Sequence, residues 1–178
     1  MRKSLKELLK MQNGTNQEFK VINFRKTVVS SDKLNVANIL KSSGFFKPYE
    51  IEVAIELIEE NLRSGDSSGY RFNFIEIEGK TVGYCCYGEI PVTIKNFDLY
   101  WMAVDNEYRG KGLGRLLMEK TESDIKASGG RGIYIETSNK EQYIPTMNFY
   151  SGCGYKQVAL FEDFYDINDN KAVYYKKL

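Results

Sequence analysis

Seven residues near the middle of the chain carry the clearest chemistry. Arg109-Gly-Lys-Gly-Leu-Gly-Arg115 holds three glycines and three cations, directly after the apolar run Leu99–Val104 and a short polar loop. A strand, a glycine-rich turn and then a helix form a phosphate cradle. Successive backbone N–H groups at the helix start point at an anion, and the helix dipole favours negative charge there. Glycine lets the backbone approach a phosphate with no Cβ in the way. Arg109, Lys111 and Arg115 add positive charge at the same place. The spacing excludes two familiar cradles. A dinucleotide fingerprint begun at Gly110 or Gly112 would need its last glycine where Arg115 or Leu117 stands, and no P-loop string occurs. The alternative is a glycine turn at a strand–helix junction with no ligand.

The chain of 178 residues has no histidine. Ser–His and Cys–His nucleophile pairs are therefore excluded, as is a zincin helix. Any acid or base must be a carboxylate, Tyr, Lys, Cys or water. Lys plus Arg is 25 and Asp plus Glu is 24, a net charge of +1. That balance argues against gripping nucleic acid or an anionic membrane by bulk charge. Cys85, Cys86 and Cys153 form no Cys-x-x-Cys pair, so no structural metal is expected, and adjacent Cys85 and Cys86 should face opposite sides of a strand. Buried free thiols in a reducing cytoplasm are the expectation. No apolar run approaches the ~20 residues of a membrane span. Residues 1–18 are expected to form an amphipathic helical extension, with Arg2, Lys3, Lys6 and Lys10 around Leu5, Leu8 and Leu9.

The elements that must position the cradle follow from hydrophobic period. Strands are expected over residues 19–30, 70–78, 81–87, 96–104, 132–137, 155–161 and 172–177. Helices are expected from Asp32 or Asn35 as cap to residue 40, and over 50–63, 113–127 and 146–151. Helices fill the gaps between strands, so the fold class is α+β, a mixed sheet of about six to seven strands flanked by helices. By strict alternation Asp98, Tyr100, Met102 and Val104 should share one face.

Arg109-x-x-Gly112-x-Gly114 resembles the acetyl-CoA signature of the GNAT superfamily of N-acetyltransferases. A second mark, a helix ending Phe/Leu-Tyr-x-x-x-Gly-Phe, is matched by Phe149-Tyr150-Ser-Gly-Cys-Gly154-Tyr155. The resemblance covers residues 19–178, which would form one GNAT-like domain with a mostly antiparallel sheet and splayed central strands. It implies acetyl-CoA as co-substrate, with no metal. The backbone of Met102, Ala103 and Val104 would pair with the pantetheine arm. The N–H groups of Gly110, Lys111, Gly112, Leu113, Gly114 and Arg115 would hold the pyrophosphate. Tyr150 matches the residue that protonates the leaving thiolate. Asp98 matches the position of a glutamate base in the histone-type members, and Glu136 on the partner strand is the second candidate. Counting back from Tyr150, the positions often held by Asn and Ala are Tyr143 and Thr146. The loop over 138–144 is longer than usual, which makes Asn139 the stand-in for that Asn.

The implied reaction is direct transfer of acetyl to a primary amine of a small molecule or peptide, in a ternary complex. A non-catalytic acyl-CoA-binding module is the competing reading. A homodimer is in keeping with the family. The acceptor walls are expected from residues 45–52, from 90–98 and from 161–170, where Glu162, Asp163, Asp166 and Asp169 stand among aromatic residues and would suit a cationic amine.

Overall fold

The computed structural model describes residues 21–178. The extension expected over 1–18 lies outside them. The described elements are β1 (Ile22–Arg25), α1 (Asp32–Ser43), α2 (Pro48–Ser64), β2 (Arg71–Ile77), β3 (Lys80–Glu89), β4 (Asn96–Val104), α3 (Leu113–Ala127), β5 (Gly132–Ser138), α4 (Ile144–Gly152), β6 (Lys156–Asp166) and β7 (Asp169–Lys177). They build a seven-stranded sheet of order β1-β2-β3-β4-β5-β7-β6. Its one parallel pair is β4–β5, and the other neighbours run antiparallel. This is the α+β architecture expected.

Local sequence explains the elements. In α2, Ile51, Ala54 and Ile58 recur at helical spacing and are buried. Pro48 opens that helix, and Glu50 accepts the Lys47 backbone N–H at 2.7 Å. Glu78 and Gly79, both at positive φ, turn β2 into β3. Each face of the sheet carries its own apolar layer. Leu117 and Ile125 of α3 and Tyr150 of α4 pack with Ile75, Leu99, Ile133 and Ile135 on one face. Val36 and Leu40 of α1 and Ile58 of α2 pack with Phe72, Phe74 and Tyr84 on the other. Cys85 belongs to the first layer and Cys86 to the second, as alternation requires.

Strand β4 departs from the expected alternation. Its pairing with β3 runs Met102 to Cys85 and Trp101 to Cys86, but then Leu99 to Tyr87. Tyr100 is the extra residue of a β-bulge. Met102 and Val104 therefore pack on the α3–α4 side, while Trp101 and Ala103 pack on the α1–α2 side. Asp98 does not share a face with Met102 and Val104. The pairing of β4 with β5 also stops early. It runs from Asn96–Gly132 to Leu99–Ile135, and Tyr100–Val104 have no partner across that seam. This is the splay that the resemblance implied.

Other expectations need correction. Among the described residues, β1 spans Ile22–Arg25, because the following residues leave the sheet to reach Asp32. Asp32 does not cap α1. Ser31 holds the cap position, and Asp32 is fully buried. The Asp32 carboxylate takes two hydrogen bonds from the Arg25 guanidinium, each 2.8 Å, and one from the Val29 N–H at 2.9 Å. Arg25 also donates to Glu76 and lies 4.3 Å over the Phe74 ring, so one cation ties β1, β2 and α1 together. The final hairpin is longer than its apolar runs suggested. Asp163 Oδ1 accepts the Asn168 N–H and Asn170 Oδ1 accepts the Asp163 N–H, so side chains extend the ladder through an acidic stretch. Helix α4 starts at Ile144 rather than 146, because Pro145 is tolerated in a first turn.

Replacing Asp32 with Ala takes a buried carboxylate from the Arg25 guanidinium, which keeps Glu76, and leaves the Val29 N–H without its acceptor. Unfolding in urea should show a loss of about 2–3 kcal/mol. A loss of about 1 kcal/mol or less, the worth of an exposed pair, would contradict the role given to it.

Candidate active site

The glycine-rich turn connects β4 to α3. Gly112 occupies the N-cap of α3 at φ 81°, and no side chain caps the helix. The first bond of the ladder runs from the Leu116 N–H to the Gly112 carbonyl at 3.1 Å, so the N–H groups of Gly112 through Arg115 precede it. No acidic residue stands in the first turn. A Cβ built on Gly110 or Gly112 meets nothing within 4 Å. The cradle is thus an open helix start with bare donors and positive potential, which fits an anionic group such as a pyrophosphate. Gly114 serves differently. A Cβ there would touch the Phe149 ring at 3.4 Å and approach Met102 at 4.0 Å. Gly114 thus marks where α3, α4 and β4 meet, at ordinary contact distance.

The cations near the cradle have partners of their own. Lys111 donates to the Glu107 carbonyl and lies 5.1 Å over the Tyr108 ring. The Arg109 guanidinium sits 5.1 Å over Phe45, which contacts Tyr143 in turn. Arg115 donates to the Gly152 carbonyl at 2.9 Å, so it braces the end of α4 as well as flanking the turn. Tyr150 is 8% exposed and packs against Phe149, Tyr155 and Tyr174. Burial pushes its phenol well above the ordinary value, so it stays protonated. Asn139 is held by Asn170. Its Oδ1 accepts the Asn170 N–H at 3.3 Å, and its own N–H donates to the Asn170 carbonyl.

The bulge creates the second half of the site. Asp98, Tyr100 and Trp101 all line one cavity of about 420 Å³, because two consecutive residues of β4 now turn toward the α1–α2 side. Glu136 of β5 and Tyr165 of β6 complete it across the splay, and Val53 and Leu57 of α2 lie over it. The structure therefore brings the two candidate carboxylates together. Burial, and then the nearby Glu136 charge, raise the Asp98 carboxyl above its ordinary value. Glu136 is half exposed and pairs with Lys171 at 3.2 Å. Burial pushes the Tyr100 and Tyr165 phenols up to about 12, so both are neutral hydroxyls.

The expected acceptor walls are only partly those observed. The loop over 90–95 lies at the other end of β4, where the Lys95 carbonyl accepts the Arg131 N–H, and it does not line the cavity. Phe46 acts indirectly, packing at a tilt against Trp101 with ring centroids 5.3 Å apart. Of the hairpin acids, Asp163 and Asp166 accept backbone N–H groups within the turn, and Asp169 binds Ser138 and Lys140. The hairpin aromatics are also occupied, since Lys171 sits 3.8 Å over Phe164. Val53, Leu57, Tyr70, Trp101 and Lys171 were not singled out by sequence. Val53 and Leu57 are spaced i, i+4 beside the buried stripe of α2, which is the one signal that marks them.

Comparison with known proteins agrees with this fold. The sequence profile described as "Acetyltransferase (GNAT) domain" matches residues 68–157. An uncharacterized N-acetyltransferase of Chlorobaculum tepidum is 29% identical over 105 residues, which cover 59% of this chain and 57% of that protein. The match thus spans a little over half the length of that relative. A crystal structure described as an acetyltransferase of the GNAT family, from Desulfovibrio desulfuricans, shares 38% identity with a TM-score of 0.87, over 88% of this chain and 99% of that one. The PaiA N-acetyltransferase of Thermoplasma acidophilum, solved with coenzyme A, shares the fold at 20% identity and a TM-score of 0.66, over 89% of this chain and 99% of that one. The chain belongs to the GNAT acetyltransferase family.

The raised Asp98 value has a checkable sign. A carboxyl whose folded pKa lies above its unfolded value binds protons more tightly when folded, so its ionisation destabilises the fold as pH rises through that window. Asp98→Asn should therefore stabilise the protein at neutral pH, with the gain vanishing as pH falls below the folded pKa. In NMR titrations, Glu136→Gln should lower the Asp98 pKa. An unchanged value would separate the two carboxylates.

Proposed function

We propose that this chain transfers the acetyl group of acetyl-CoA to a primary amine by direct attack in a ternary complex. The observation that carries this reading is the placement of two complementary half-sites on either side of the β4–β5 splay. On one side lies an uncapped, glycine-lined helix start. On the other lies a cavity with Asp98 and Glu136. Acetyl-CoA supplies an activated acetyl thioester. The N–H groups of residues 110–115, with Arg109 and Lys111, hold its pyrophosphate. The unpaired backbone of Met102, Ala103 and Val104 orients its arm, as an added strand would.

The attacking amine must be neutral, and Asp98 accepts its proton directly or through water, with Glu136 beside it. The raised Asp98 value brings that carboxylate nearer the amine in basicity than an exposed Asp would be. Tyr150, kept protonated by burial, donates to the departing thiolate. Asn139, with its carbonyl oxygen engaged, retains its amide N–H groups for a contact to the arm. The three free cysteines suit a reducing, cytoplasmic setting.

Release of free thiol from acetyl-CoA, followed across a panel of primary amines, tests the reading. Amine-dependent release is expected. Binding of CoA with no release from any amine would leave only an acyl-CoA-binding module. Tyr150→Phe should slow turnover about 10²-fold, the usual worth of one acid–base group, while CoA affinity by calorimetry stays within a few-fold. An unchanged rate would remove Tyr150 from this role. Gly112→Glu should abolish measurable CoA binding, since it forces a side chain into a left-handed position and a negative charge into the cradle. Retained affinity would contradict the pyrophosphate assignment.

A further inference from the structure

The acceptor cavity restricts the kind of amine it can take. Its charged lining groups are Asp98 and Glu136. Lys171 neutralises Glu136 from 3.2 Å, and its side chain is only 13% exposed. The Lys171 ammonium is further held over Phe164 at 3.8 Å and Phe161 at 5.2 Å. Among the described residues, Asp98 is thus the lining carboxylate without an ion pair of its own, and the lining holds no cation.

The remaining walls are apolar or aromatic. Val53 and Leu57 come from α2. Tyr70 and Tyr100 meet edge to face with centroids 5.6 Å apart. Trp101 is fixed by its contact with Phe46. A volume of about 420 Å³ falls at the lower end for small-molecule sites. One ammonium can be balanced by Asp98 and by the faces of these rings. A carboxylate next to the amine would meet the Asp98 charge with no cation in the lining to balance it. The lining offers the second and third ammonium groups of a polyamine no further unpaired carboxylate.

We infer that the acceptor is a small monoamine carried on an apolar or aromatic body, with no carboxylate beside the amine. This rests on the acetyl-transfer reading above. In the step, an N–C bond forms as the thioester C–S bond breaks. The proton lost from nitrogen leaves toward Asp98 or water, and the thiolate gains one.

The test compares 2-phenylethylamine, phenylalanine, spermidine and a peptide with N-terminal phenylalanine. It reads CoA release by the full chain and binding to its CoA complex by calorimetry. Phenylethylamine should exceed phenylalanine and spermidine in kcat/KM by about 10²-fold. Preference for phenylalanine, spermidine or the peptide would overturn the inference while leaving acetyl transfer intact. Binding of phenylethylamine to the CoA complex with no release from any amine would support the cavity and sink the transfer reading. Neither binding nor release of thiol would overturn the inference. Val53→Arg, at a position 43% exposed, supplies the missing cation and should narrow the phenylethylamine-to-phenylalanine ratio about tenfold. An unaltered ratio would show that the walls do not set the preference.

Discussion

The seam between β4 and β5 organises the molecule. Parallel pairing holds from Asn96–Gly132 to Leu99–Ile135 and then ends. Each strand keeps its other neighbour beyond that point. β4 stays with β3 as far as Val104, and β5 stays with β7 as far as Ser138. The sheet is thus two halves joined over only four residue pairs. The bulge at Tyr100 sits next to the last of them, where an extra residue bends its strand and sharpens the twist. The wedge that opens there has unpaired backbone on its inner edges. Unpaired N–H and C=O groups at a protein interior need partners, and a chain of amides in a ligand arm is one way to meet that need.

The bulge also decides which chemistry faces which side. Without it, Asp98 would look toward the α3–α4 layer together with Met102 and Val104. With it, Asp98 shares the α1–α2 side with Tyr100 and Trp101, and Met102 stays near Phe149 and the start of α3. The result is a separation of charge across the sheet. Arg109 and Lys111 stand by the uncapped end of α3, while Asp98 and Glu136 line the opposite cavity. A net charge of +1 conceals this, because it sums 25 cationic and 24 anionic residues over the whole chain. The cradle and the cavity meet at this one seam.

Much of this was legible in the sequence. The glycine turn is legible because positive φ and a missing Cβ leave few other residues suitable. The succession of strands and helices and the α2 stripe are legible because burial imposes a period. Asp98 and Glu136 came from a resemblance, and the structure places them on one cavity. The bulge was not legible, since a period of two carries no mark of one inserted residue. Asp32 read as a cap because Asp favours caps, and its buried ion pair with Arg25 depends on contact across separate elements. The acidic hairpin read as an amine site, but Asp163 and Asp166 serve their own turn, Asp169 binds Ser138 and Lys140, and Lys171 from β7 already lies on its rings. Such engagement is decided by cross-strand register, which local composition does not reveal.

Hydrogen exchange measured with and without coenzyme A tests the central claim most directly. If the cradle and the splay together receive that molecule, its binding should slow exchange at the amides of Gly110–Arg115 and of Met102–Val104, and leave those of the β1–β2 pair unchanged. Binding that protects neither segment, or only one remote from the β4–β5 seam, would contradict it.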